Sequence, residues 1–144
     1  MRTREEIEAA RAARKAELAA QQEAQELADL EALDAAEIEH GDNSVCHVSV
    51  PYTPGLPATA IARCPKPVEI KRFQDMASKA RKGEGGVNTG AAISALKALV
   101  AVCLVYPDKD TFAAMVEARP MLDLDLGNAA LGLANGKAAD EGKG

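Results

Sequence analysis

Apolar positions are sparse along the first forty residues. Ile7 and Leu18 share one helical face, and Leu27, Leu30, Leu33 and Ile38 form a broader stripe toward the end. No Pro or Gly interrupts Thr3 to Glu39, and Ala, Glu, Arg, Gln and Leu dominate, all good helix formers. Thr3 followed by Glu6 has the spacing of a capping box. The pattern predicts one helix of about 35 residues, ~52 Å long at 1.5 Å per residue. It has no sustained heptad, so no strong coiled coil is predicted. Gly41-Asp42-Asn43 ends it.

Val45 to Val50 is a short run rich in β-branched residues, and Ala58 to Arg63 reads as a return strand. The turn-rich segment Pro51 to Pro57 joins them, which predicts a β-hairpin with a long loop. A lone hairpin is marginal in water, so this one must pack on helices. Pro67 suits the first turn of a helix. Val68, Ile70, Phe73, Met76, Ala77 and Ala80 then fall mainly at helical spacing, with Lys71, Arg72, Lys79 and Arg81 between them. Lys82-Gly83-Glu84-Gly85-Gly86 reads as a flexible link. Thr89 is a candidate cap for the next helix. Ala91 to Tyr106 is almost wholly apolar, interrupted only by Ser94 and Lys97, and predicts the central helix of the core, with Leu99 and Val102 both inside. Pro107 stops it. Asp108 or Asp110 caps a short helix carrying Phe112, Ala113, Met115 and Val116, which Pro120 closes. A last helix runs from Leu122 through Leu133, with Gly136 as its stop.

The expected fold class is mainly α: a long amino-terminal helix, a small β-hairpin and a compact bundle of about four helices, or α+β if the hairpin is counted. The expected organisation is a charged helical arm at 1–40, a helical domain with an opening hairpin at 41–136, and a disordered tail at 137–144. Because the arm's apolar content is low, residues 45–136 are expected to fold without it.

Composition sharpens this picture. The 144 residues include 30 alanines, while aromatics are only 3% and Trp is absent, so the core is built from small aliphatics. That favours closely packed helices over a β-sandwich. No apolar run reaches the ~20 residues a bilayer needs. The start, Met1 to Glu6, has no apolar segment behind its arginines, so no signal peptide is expected. A net charge of -5 argues against a protein dedicated to nucleic acid. Three cysteines without repeated spacing do not make a disulfide framework, and a reducing cytoplasm is the default compartment.

Charge is unevenly spread. Residues 1–15 carry five cations against three acids, +2, whereas residues 16–40 carry eight acids and no cation, -8. The plain reading is a solvated helix that frays at its acidic end, where acids oppose the helix dipole. The sharper one is an arm whose acidic half meets a basic partner. Lys66 to Lys82 holds six cations against Glu69 and Asp75, +4. This stretch could touch nucleic acid, but a match to the acidic arm, within or between chains, is simpler.

Candidate chemistry is thin. Cys46, His47 and Cys64, with His40, are the right residue types for zinc. Their spacing is not that of paired zinc knuckles, and adjacent Cys46 and His47 point to opposite faces of a strand. Two small buried thiols and a surface histidine are the simpler reading, with Cys103 as a packing residue. Gly83 to Gly86 lacks the lysine and hydroxyl of a phosphate loop. No Gly-x-Ser-x-Gly element is present. No catalytic, cofactor-binding or metal-binding residue is assigned, so a non-enzymatic protein is expected. The candidate partner-binding residues are Leu27, Leu30, Leu33 and Ile38.

Three further stretches are Arg63 to Phe73, where a strand runs into a basic helix, Val102 to Phe112, and Glu117 to Leu122 with the small-residue helix behind it. Through them, residues 45–136 resemble the tail assembly chaperones of long-tailed bacteriophages or prophages. The resemblance implies a non-virion protein of the host bacterial cytoplasm that binds the helical tape measure protein and recruits tail tube subunits to it. Self-association is also compatible with it. It further implies that a longer product can arise by a ribosomal slip near the stop codon, for which Glu141-Gly142-Lys143 has permissive codons. A minor virion structural or connector protein is the alternative, and a small DNA-binding regulator a weaker one.

Overall fold

The computed structural model describes residues 1–79 and 89–136. The expected link at 82–86, the cap at the Thr89 side chain, the tail at 137–144 and its slip-permissive tripeptide lie outside the described residues. The fold is mainly helical, with a small three-stranded antiparallel sheet and a long amino-terminal helix.

The first helix, α1, is Arg4–His40, 37 residues without a break. Its start is fixed as the sequence indicates. The Thr3 hydroxyl accepts the Glu6 backbone N–H at 3.1 Å, and Glu6 Oε1 accepts the Thr3 N–H at 3.3 Å. Gly41, at φ +97°, ends it in a backbone conformation that L side chains avoid.

Strands β1 (Val45–Ser49) and β2 (Thr59–Arg63) form the hairpin, with Val45 opposite Arg63 and Ser49 opposite Thr59. Helix α2 (Pro67–Lys79) follows, with Pro67 in its first turn as expected. The Glu69 carboxylate accepts the Lys66 backbone N–H at 2.8 Å, satisfying one orphan donor at the helix start. Helix α3 (Thr89–Cys103), strand β3 (Leu104–Tyr106), helix α4 (Lys109–Ala118) and helix α5 (Leu122–Ala134) are the remaining elements among the described residues. The Tyr106–Pro107 peptide is cis. Asp108, rather than Asp110, caps α4 by accepting the Thr111 N–H at 3.2 Å.

The third strand corrects the sequence reading. The apolar run expected to stay helical through Tyr106 leaves the helix at Cys103. Pro107 disfavours the helical conformation for Tyr106, and the open edge of β2 offers backbone partners to an extended chain. Ile61 pairs with Tyr106 and Ala62 with Leu104, with a bulge between.

The sheet is covered on both faces. Cys46, Ala60 and Ala62 face α3 and α5 and join the main core around Leu99, Leu126 and Ala130. Val45 and Ile61 face the other way and pack with Ala36 of α1, flanked by Ala32, Leu33 and Tyr106. Gly127 lets α5 close on α3, since a Cβ there would lie 2.6 Å from Leu96 Cγ. Leu99 is buried as expected, but Val102 is 47% exposed, lining an open groove between α2 and α3.

One face of α1, at Asp29, Ala32, Leu33 and Ala36, therefore packs into the core. The expectation that residues 45–136 fold without the arm does not fit this packing. Only the amino-terminal half of α1 stands clear: all residues from 4 to 24 are exposed except half-buried Leu18.

Candidate interaction surface

Asp29 is the most unusual residue of α1, a carboxylate only 4% exposed. Its Oδ2 accepts the buried Ala58 N–H at 2.9 Å. Its Oδ1 accepts the Tyr106 hydroxyl at 2.8 Å and the Gln25 amide at 2.9 Å. One side chain thus ties α1 to the start of β2 and to the end of β3. A buried carboxylate is tolerated where donors replace its lost water, as three do here. Burial, then the carboxylate itself, pushes the Tyr106 phenol up to about 12, so it remains a donor at neutral pH.

Beside this latch the sheet's α1-facing side is left partly open. Val45 and Ile61 are covered, whereas His47 and Ser49 on β1 are exposed and Thr59 is half-buried. The result is a cleft of about 350 Å³ between α1 and the β1–β2 hairpin. Leu30 and Leu33 form its apolar wall, with Glu26, His47, Ser49 and Thr59 around them. β1 is also an edge strand of the sheet.

The sequence-predicted stripe therefore divides. Leu30, 61% exposed, and half-buried Leu33 line the cleft. Leu33 also packs against the Val45–Ile61 cluster. Leu27 and Ile38, 60% and 78% exposed, lie outside both the cleft and that cluster. Asp29 gave no sequence signal of its own, being one of eight acids on a helix that reads as solvated. A weak signal existed in Ala32 and Ala36, which share its face.

A second tie lies across the molecule. The Arg63 guanidinium meets the Glu69 carboxylate in a bidentate pair at 2.8 and 2.7 Å, and also donates to the Val102 carbonyl at 2.9 Å. β2, α2 and the end of α3 are joined at one point, and a helix-terminal carbonyl is satisfied. The Arg63 guanidinium holds Glu69 down at about 2. This pair borders a smaller groove lined by Phe73, Met76, Ala98 and Val102 between α2 and α3.

Cys46 and Cys103 share the main core and Cys64 packs against it, but the histidines do not join them. Cys46 is buried, its Sγ–H directed at the Ala62 carbonyl, while His47 lies on the opposite face of β1. Burial pushes the Cys46 thiol up to about 12 and the Cys103 thiol to about 11, so neither supplies thiolate at neutral pH. Among the described residues no group of His, Cys, Asp and Glu comes together to hold a metal. Nor is any described helix long and apolar enough to cross a membrane. The acidic half of α1 and the basic α2 make no ion pair with each other among the described residues.

No family model matches the chain, and no curated protein and no solved structure matches it.

Proposed function

We propose that the protein is a non-catalytic assembly chaperone of the kind that serves bacteriophage tails. Its client is an apolar face of the helical tape measure protein, held while tail tube subunits are recruited. The cleft between α1 and the hairpin carries this reading. It has an apolar wall at Leu30 and Leu33, a polar surround at Glu26, His47, Ser49 and Thr59, and a hydrogen-bonded base at the Asp29 latch. A cleft of this kind takes the projecting side chains of an amphipathic helix, and its rim excludes water from the contact. A client helix with exposed apolar faces gains most from such cover before assembly encloses it.

The alternative, a minor virion or connector protein, draws support from the free amino-terminal half of α1, which has the form of an assembly element. The two readings differ in where the protein ends up. A chaperone acts in the host cytoplasm, co-purifies with the tape measure protein from infected cells and is absent from purified particles. Its presence in particles at fixed stoichiometry contradicts the chaperone reading.

A further inference from the structure

Among the described residues, two exposed helix faces of opposite charge take part in no ion pair. The first is the outer face of α1. Glu23, Leu27, Glu31, Asp34 and Ile38 recur at intervals of three and four residues, away from both the sheet and the cleft, and all five are exposed. The 16–40 segment has no cation, so this face cannot be neutralised along its own helix. The second is the outer face of α2, where Val68, Lys71, Arg72 and Lys79 follow the same spacing and are all exposed. No residue of α2 is fully buried. Asp75 is the lone acid on that face.

Each face specifies what it lacks. The α1 face needs a basic surface that also brings apolar atoms for Leu27 and Ile38. The α2 face supplies cations with long aliphatic stems and Val68. Nucleic acid is repelled by the α1 face, and an acidic peptide fares no better there. We infer that two copies of this chain associate reciprocally, with α2 of each lying on the outer face of α1 of the other. A twofold arrangement forms both contacts at once, since each copy presents both faces. The client cleft stays open, because it is lined by Leu30 and Leu33 rather than Leu27 and Ile38. The inference is independent of the chaperone reading.

Sedimentation of the full chain tests it. Wild type forms a dimer, and raising the salt from about 50 mM to about 500 mM weakens it roughly tenfold. One variant reverses the first face (Glu23→Lys, Glu31→Lys, Asp34→Lys) and a second reverses the other (Lys71→Glu, Arg72→Glu, Lys79→Glu). Each alone is monomeric, because like charges now meet. Mixed in equal amounts they recover the dimer, since both contacts again join opposite charges. All six positions are exposed, so thermal unfolding close to wild type is expected. Should a reversal variant fail to fold, Leu27→Gln with Ile38→Gln takes its place and still weakens the dimer. A monomeric wild type overturns the inference, as does a mixture that stays monomeric. A dimer that survives reversal of the α2 face overturns it too.

Discussion

Replacing Asp29 by Ala removes the carboxylate that receives the Ala58 N–H, the Tyr106 hydroxyl and the Gln25 amide. Ala58 is buried, so its N–H loses its only partner among the described residues. Hydrogen bonds to a charged group contribute about 1.5–3 kcal/mol each, and a buried orphan donor costs about 1–3 kcal/mol. Relief from burying a charge offsets part of this. The net expected loss is about 3 kcal/mol, or roughly 10 °C in midpoint for a chain of this size. Asn costs less, about 1 kcal/mol. Its carbonyl can keep the Ala58 N–H while its amide donates to the Tyr106 oxygen and a turned Gln25 carbonyl. Urea unfolding of wild type, Asp29→Ala, Asp29→Asn and Tyr106→Phe measures these values. The Asp29→Ala and Tyr106→Phe double mutant should show coupling of about 1 kcal/mol. Asp29→Ala within about 0.5 kcal/mol of wild type would refute the latch.

Three further outcomes follow from the same contacts. Deleting residues 1–20 should leave the cooperative unfolding transition in place, whereas deleting 1–40 should abolish it by uncovering Val45 and Ile61 and orphaning the Ala58 N–H. Circular dichroism during heating distinguishes them. Gly127→Ala forces a Cβ to within 2.6–2.7 Å of the Leu96 side chain and should cost about 1–3 kcal/mol in urea unfolding, by separating α5 from α3. Glu69 is depressed from 4.5 to about 2, so its contribution is complete above pH 4.5 and is lost as pH falls through 2. Allowing for the solvent beside the pair, that contribution is about 1–2 kcal/mol. Wild-type stability should therefore fall more steeply over this range than that of Glu69→Gln.

Local chemistry was legible in the sequence where it acts locally. The Thr3 box, the Gly41 stop, Pro67 in the first turn of α2 and the Asp108 cap each depend on neighbours within a few residues. β3 was hidden, because three apolar residues at the end of an apolar run have no period that separates strand from helix. Its extended form depends on the free edge of β2, some forty residues away. Val102 looked like Leu99 because a nearly uniform apolar helix does not reveal which side is covered. The role of Asp29 rests on donors 29 and 77 residues distant, so the spacing of Ala32 and Ala36 along α1 marks its face but not its partners. The candidate stripe was half legible. Its leucines were visible, but only the position of the hairpin turns Leu30 and Leu33 toward a cleft and leaves Leu27 and Ile38 outside.

The central claim is that the cleft between α1 and the hairpin holds the client. Its most direct test is a photo-crosslinking residue at Ser49, inside the cleft, with one at Lys79 on α2 as the control, each in cells producing the phage tail. The account predicts an adduct with the tape measure protein from position 49 and none from position 79. No adduct from position 49, or equal adducts from both positions, would contradict it.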